Sequence, residues 1–373
     1  MEEILSPKKL WNPNGDSALD ESLIGGNPTG MLNFNDSRYK WADGIFKQML
    51  ENTWFPEEVD TSNEKKSYDS LLTDQEKRMY DRVFSQLSFN DSLQAENLVD
   101  NINQYITNKV VNACLTRQAF EEVLHSKSYA VLLSDAVEDN THIFNLFKED
   151  LTLRAKNEII ASNYSKFSSG EITKEKLFYA MVANQILEGV YFLSGFSAIY
   201  HLSDKMRGSA DMIAFIHRDE ETHLALFQNM IKTFIKENPD EPYFIYRNTV
   251  NKMFDEAYHL EVSWMKYIFE DVLPDHILEA TVAYFIKKRA RAIGMYDEEE
   301  DRYSHGVKTT LVKKLESFGN FNDTRTNFFE GNVKNYSKGS LVFDEDWADY
   351  DLNTAFERTY TKKEPKGQLE FDF

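Results

Sequence analysis

Apolar residues along this chain recur at helical spacing in one segment after another, with short polar breaks between them and little strand-type alternation. The pattern predicts a first helix over about residues 37–52, ended by Trp54-Phe55-Pro56 and the polar stretch VDTSNEKKS. Thr73-Asp74-Gln75-Glu76 has the spacing of a capping box, so a long helix should start there and pass through Asp91. The next helix carries Glu122, His125 and Tyr129, and one of mixed polarity follows the break at 139–142. SSGEIT, residues 168–173, leads into an apolar helix containing Glu188. A helix from about Lys205 holds Glu220 and His223 and closes at NPDEP, and two more are predicted over about 243–270 and 275–293. The expected fold class is all-α. Residues 1–36, with NPNGDS and GGNPTG, read as an irregular arm, 37–318 as the helical domain, and 319–373 as a flexible C-terminal tail.

Composition narrows this little further. With 15 Gly and 8 Pro in 373 residues, long helices are favoured over many turns. A formal charge of -20 repels phosphate backbones and excludes nucleic acid as a partner. The single cysteine, Cys114, permits no intrachain disulfide and suits a reducing cytoplasm. The acidic start MEEILSPKKLW has no apolar run of the secretory kind. Leu177–Tyr200 is long enough to cross a bilayer, but Asn184, Gln185 and Glu188 in its middle make it a buried core helix, and no membrane is expected.

The chemistry lies in acidic residues and histidines on helices. In FEEVLHSKSY, Glu122 and His125 share a helix face and Tyr129 continues the stripe, while Glu121 should point elsewhere. Glu-x-x-His recurs at Glu220/His223 and Glu256/His259. Any one copy reads as a surface pair or a core histidine. Glu188 is the only charge between Leu177 and Tyr200; burying it unpaired is costly, and either a metal ion or a protonated or Arg-paired carboxyl would offset that. Asp91 is either a polar interruption in its helix or a further ligand. Di-metal carboxylate bundles use two Glu-x-x-His helices and one acid from each of two others. Glu220/His223 begins one helix after Glu188, as a compact antiparallel bundle requires, so Glu256/His259 should lie off the site. Imidazole and carboxylate without thiolate suit iron or manganese, and four carboxylates nearly neutralise two divalent ions.

WFPEEVD, NDSLQ, EEVLHSKSY, LEGVYFLSGF and RDEETH, in this order and spacing, resemble the small, radical-generating subunit of class I ribonucleotide reductase, in the ferritin-like superfamily. The resemblance spans Trp54 to His223, about half the chain. It implies a ferritin-like bundle with Asp91, Glu122 and His125 on one metal, Glu188, Glu220 and His223 on the other, and Glu122 and Glu220 as bridges. Two iron ions are implied, with manganese as the alternative; manganese would bring a flavoprotein activator. Tyr129 matches the tyrosine oxidised to a stable radical, and Phe192, Phe196 and Ile216 are placed to converge on it as a dry pocket. Trp54 and Asp219 match positions that, with His125, carry the oxidising equivalent outward. A tail tyrosine, Tyr360 or else Tyr350, would relay it to the large subunit, and GQLEFDF at Gly367–Phe373 would dock there. A homodimer is implied. No Gly-rich phosphate loop appears, consistent with a nucleotide site on the other subunit. A related di-metal oxidase or oxygenase acting on its own substrate is the alternative, and it would need neither the relay nor the tail.

Overall fold

A computed structural model describes residues 4–241 and 243–319 of the chain. The described residues form twelve α-helices and no β-strand. They are α1 (Lys40–Glu51), α2 (Glu64–Leu71), α3 (Asp74–Asn97), α4 (Lys109–Ala136), α5 (Thr141–Glu149), α6 (Leu151–Ser168), α7 (Lys174–Ile186), α8 (Leu193–His201), α9 (Arg207–Glu237), α10 (Tyr243–Phe269), α11 (Asp275–Ala292) and α12 (Thr310–Gly319). Helices α3, α4, α7–α8 and α9 pack on one another around the site, and α10 and α11 cover the α7–α8 side.

Local chemistry sets the helix starts. Thr73 caps α3 by accepting from the Glu76 amide, and Glu76 Oε2 accepts from the Thr73 amide at 2.8 Å, the reciprocal pair the sequence predicts. Asn108 caps α4 through the Val110 and Val111 amides. Asp150 caps α6 by accepting from the amides of Thr152 and Leu153, and it also receives Arg82 Nε at 3.1 Å and the Tyr267 hydroxyl at 2.7 Å. Those bonds split into α5 and α6 what the sequence pattern joins as one helix.

Two further helices were not expected. In α2 the buried residues are Glu64 and Tyr68, so no apolar stripe announces it. Its anchor is polar: the Glu64 carboxylate accepts from the Gly208 and Ser209 amides at 2.9 and 3.0 Å, at the positive end of α9. Short α12 packs Leu311, Val312 and Leu315 inward against α8, and Phe318 stacks on Tyr200 at 4.3 Å.

The apolar run at 177–200 is not one regular helix. It is α7, a π-helical turn at Leu187–Phe192, and α8. The turn holds Glu188, and π-helical turns of this kind often mark functional sites. At Gly189 a Cβ would lie 2.5 Å from Arg289 Cδ, because that side chain crosses the turn, so a larger residue would displace Arg289. Among the described residues no helix is long and apolar enough to cross a membrane.

On the α6–α10 side, Lys156 Nζ bonds Glu261 Oε2 at 2.5 Å with both side chains buried, and the ammonium sits 5.1 Å from the Tyr191 ring and 4.8 Å from that of Trp264. Burial pushes the amine down to about 8 even with Glu261 beside it. Lys156→Ala is expected to cost about 3–5 kcal/mol, because it strands a buried carboxylate. Urea unfolding should show that loss, and should show most of it recovered in the double variant Lys156→Met, Glu261→Leu.

Candidate metal centre

Four elements each send acid or imidazole into one buried volume. Asp91 comes from α3, Glu122 and His125 from α4, Glu188 from the π-helical turn, and Glu220 and His223 from α9. All six have no exposed surface. Their donor atoms form two overlapping sets, Asp91/Glu122/His125/Glu220 and Glu122/Glu188/Glu220/His223, each with its atoms within 4.8 Å of one another.

The two overlapping members face both ways. Glu220 puts Oε1 at 3.2 Å from His125 Nδ1 and Oε2 at 2.9 Å from His223 Nδ1. Glu122 puts Oε2 at 3.7 Å from His125 Nδ1 and Oε1 at 3.4 Å from His223 Nδ1. Asp91 Oδ1 completes the first set at 3.2 Å from His125 Nδ1, and Glu188 Oε2 completes the second at 3.9 Å from His223 Nδ1. Each histidine therefore turns Nδ1 toward the acids and Nε2 away. His125 Nε2 lies 3.3 Å from Asp219 Oδ2, and His223 Nε2 lies 2.9 Å from Glu121 Oε2.

The electrostatics ask for cations. Burial pushes Asp91, Glu122 and Glu188 up, and neighbouring carboxylates push the same way. Burial would depress His125 and His223, but the surrounding acids hold both well above the usual imidazole range. Burial would also raise Glu220, yet His223 and its other partners hold it well below the carboxylate range. Both Asp91 oxygens, Glu122 Oε2, His125 Nδ1, Glu188 Oε2 and Glu220 Oε1 are buried without a hydrogen-bond partner. Leaving such atoms unsatisfied is expensive, and two divalent ions match their charge, their chemistry and their grouping. The residues fit a two-metal centre.

Amides orient the acids from outside. Gln94 Nε2 and Gln118 Nε2 donate to Glu188 Oε1 at 2.8 and 3.0 Å, and Gln118 Nε2 also reaches Glu122 Oε1 at 3.1 Å. That leaves Glu188 Oε2 for the site. Neither glutamine was singled out in the sequence, although Gln94 follows Asp91 by three residues and Gln118 precedes Glu122 by four. Glu121 is a correction: it was expected to point elsewhere, yet it is buried against His223. Helix periodicity gave its angle on α4 but could not give the side on which α9 packs.

Tyr129 is fully buried four residues beyond His125. Its hydroxyl is buried without a hydrogen-bond partner. Burial first, then the charges of Asp91, Glu220 and Glu122, push the phenol well above its usual range. Phe84 of α3, which the sequence reading missed, packs edge-on to it with ring centroids 5.8 Å apart. Phe192, Phe196 and Ile216 are fully buried, and the two phenylalanine rings lie 5.8 Å from each other.

On the other side, Trp54 Nε1 donates to Asp219 Oδ2 at 2.7 Å, the same oxygen that faces His125. Asp219 is not a surface partner of Arg218: it is 2% exposed, and Arg218 Nη2 stays 3.5 Å from its other oxygen. Burial acts to raise Asp219, but His125, Arg218 and Trp54 together hold it below the usual range. Glu256 and His259 are exposed on α10, away from the site as expected. Tyr350, Tyr360 and Gly367–Phe373 lie outside the described residues.

A family model described as ribonucleotide reductase, small chain, matches residues 31–297. The chain belongs to this family. A ribonucleoside-diphosphate reductase subunit beta of Treponema pallidum is 35% identical over 92% of this chain and 98% of its own length. The corresponding subunit of Halalkalibacterium halodurans is 31% identical, again over 92% of this chain and 99% of its own. Among solved structures, the ribonucleotide reductase R2 subunit from Clostridium botulinum superposes with a TM-score of 0.79 at 32% identity, covering 85% of this chain and 99% of that one. The protein is thus a small subunit of ribonucleoside-diphosphate reductase with the ferritin-like fold of that family. It works with a large subunit to convert ribonucleotides into deoxyribonucleotides, and homodimers are typical of the family.

Proposed function

We propose that this small subunit stores its oxidising equivalent on Tyr129 and passes it outward through His125, Asp219 and Trp54. The observation that carries the reading is the pair of ligand sets joined through Glu122 and Glu220. Asp91, Glu122 and His125 would hold one ion and Glu188, Glu220 and His223 the other, with Glu122 and Glu220 bridging. Two iron ions, or two manganese ions, supply one-electron oxidation when bound with an oxygen-derived oxidant. Tyr129 would give up an electron to that oxidant and its phenol proton toward Asp91, the carboxylate whose charge bears on the phenol most. The edge of Phe84 packs on the ring, and the fully buried Phe192, Phe196 and Ile216 would complete a dry wall that keeps water and reductants from it.

Outward transfer is a matter of protons as well as electrons. An oxidised indole is a strong acid, and Trp54 Nε1 already points its proton at Asp219 Oδ2. Asp219 can hold that proton while the hole moves on, and its tie to His125 keeps it aligned with the site. An oxygenase acting on its own substrate would have no use for this buried indole–carboxylate–imidazole line. From there the reading takes Tyr360, with Tyr350 as the alternative, as the tail relay, and Gly367–Phe373 as the segment that docks on the large subunit. Assembly as a homodimer in the cytoplasm, and a flavoprotein activator if the metal is manganese, complete the proposal.

Trp54→Phe tests the route. Phenylalanine keeps the stack on Phe215, whose ring lies 5.0 Å away, but removes the oxidisable indole and its bond to Asp219. With large subunit added, the variant should form the Tyr129 radical at the wild-type level while nucleotide reduction falls to the background of the large subunit alone. Turnover near the wild-type rate would remove Trp54 from the route.

A further inference from the structure

The two histidines of the centre have different partners behind them. His125 Nε2 faces Asp219, which is tied to the Trp54 indole. His223 Nε2 faces Glu121 Oε2 at 2.9 Å, and the other Glu121 oxygen receives Arg117 Nε at 2.9 Å. Arg117 is itself held: its Nη2 donates to Met49 O at 3.3 Å and to Thr53 Oγ1 at 3.1 Å. Glu121 is therefore pinned at both oxygens, and the chain of contacts ends on a guanidinium fixed to the end of α1 and the residue before Trp54.

We propose that Glu121 is the positioning residue of the Glu188/Glu220/His223 metal site, an inference that rests on the two-metal reading above. A ring nitrogen that binds a cation must offer a lone pair, so Nδ1 of His223 has to be bare and the single proton of neutral imidazole has to sit on Nε2. Glu121 is the acceptor that selects this tautomer and fixes the ring plane with Nδ1 on the ligand oxygens. Asp219 performs the equivalent service for His125 and also has an arginine near its other oxygen, Arg218 Nη2 at 3.5 Å, but it accepts in addition from an indole that can lose a proton. Arg117 cannot. The difference divides the labour: Asp219 serves a metal and the outward route, whereas Glu121 serves metal retention alone.

The test is titration of the metal-free full-length protein with Mn(II), following heat and the EPR signal of unbound Mn(II). The wild type should take up two ions per chain. Glu121→Ala should keep one site at wild-type affinity and weaken the other by about 10–100-fold, the usual effect of removing an outer partner of a ligand histidine. Glu121→Gln keeps only one acceptor oxygen, for which Arg117 Nε and His223 Nε2–H would compete. The rescue is therefore the double variant Glu121→Gln, Arg117→Leu, which removes the competing donor. It should recover most of that loss, a recovery that generic damage to the core would not give. Circular dichroism melting run alongside identifies any variant that has lost its fold. Two wild-type-tight sites in Glu121→Ala, or the double variant Glu121→Gln, Arg117→Leu as weak as Glu121→Ala, would overturn the positioning role while leaving the two-metal reading intact. A wild type that binds no pair of ions would overturn both.

Discussion

Tyr129→Phe is expected to fold as the wild type does, bind two metal ions per chain, and reduce no nucleotide above the background of the large subunit. The substitution is structurally mild. The ring is fully buried, with Phe84 edge-on beside it, and phenylalanine fills the same volume. The hydroxyl it removes makes no hydrogen bond, so the change in stability should stay within about 1 kcal/mol in either direction. The ligand atoms are untouched. What disappears is the group that can hold a one-electron vacancy, because an unsubstituted phenyl ring has no ionisable hydroxyl with which to become a neutral radical. Metal analysis, a thermal melt and an assay of nucleotide reduction separate these expectations. Turnover retained with metals bound would mean that the oxidising equivalent resides elsewhere.

Glu220→Ala is expected to remove both metals. Each oxygen of Glu220 approaches a different histidine Nδ1, at 3.2 and 2.9 Å, so one truncation takes a donor from both sets. The loss of affinity should exceed the roughly 100-fold that removal of an outer partner can cause, since a ligand itself is gone. Asp91→Ala is the informative contrast. Asp91 belongs to one set only, so its loss should leave the Glu122/Glu188/Glu220/His223 site occupied. Mn(II) titration of the two variants should therefore give near-zero and near-one ion per chain at concentrations that saturate the wild type. Equal metal content in the two would contradict the bridging role of Glu220.

How much of this could be read from the amino-acid order depends on what each residue answers to. Long helices with a continuous apolar stripe, such as α9 and α10, emerge from periodicity because burial of the stripe is what makes them helical. The cap at Thr73 is legible for the same reason, since both partners lie within one turn. Helix α2 escapes because its anchor is Glu64 on the amides of Gly208 and Ser209, far away in sequence. The break at Asp150 escapes because it depends on Arg82 and Tyr267 as well as on local amides.

The site divides in the same way. Its six ligand candidates stand out because ionisable groups on apolar faces are chemically conspicuous, and the structure brings all six together. Glu121, Gln94, Gln118 and Phe84 do not stand out. Glu121 differs from Glu122 by one step on the same helix, and only the packing of α9 beside α4 decides that both reach His223. The glutamines are ordinary polar residues until Glu188 is placed between them. The π-helical turn at Leu187–Phe192 adds a further displacement that no regular periodicity anticipates.

The most direct test of the account is the EPR spectrum of the metal-free protein reconstituted with Fe(II) and oxygen, recorded for wild type and for Tyr129→Phe at equal metal content. A tyrosyl signal in the wild type that is absent from Tyr129→Phe is the predicted result, and it would tie the buried carboxylate–histidine centre to the oxidation of one named residue. The same signal at the same intensity in Tyr129→Phe would contradict the account, because the radical would then reside on another tyrosine.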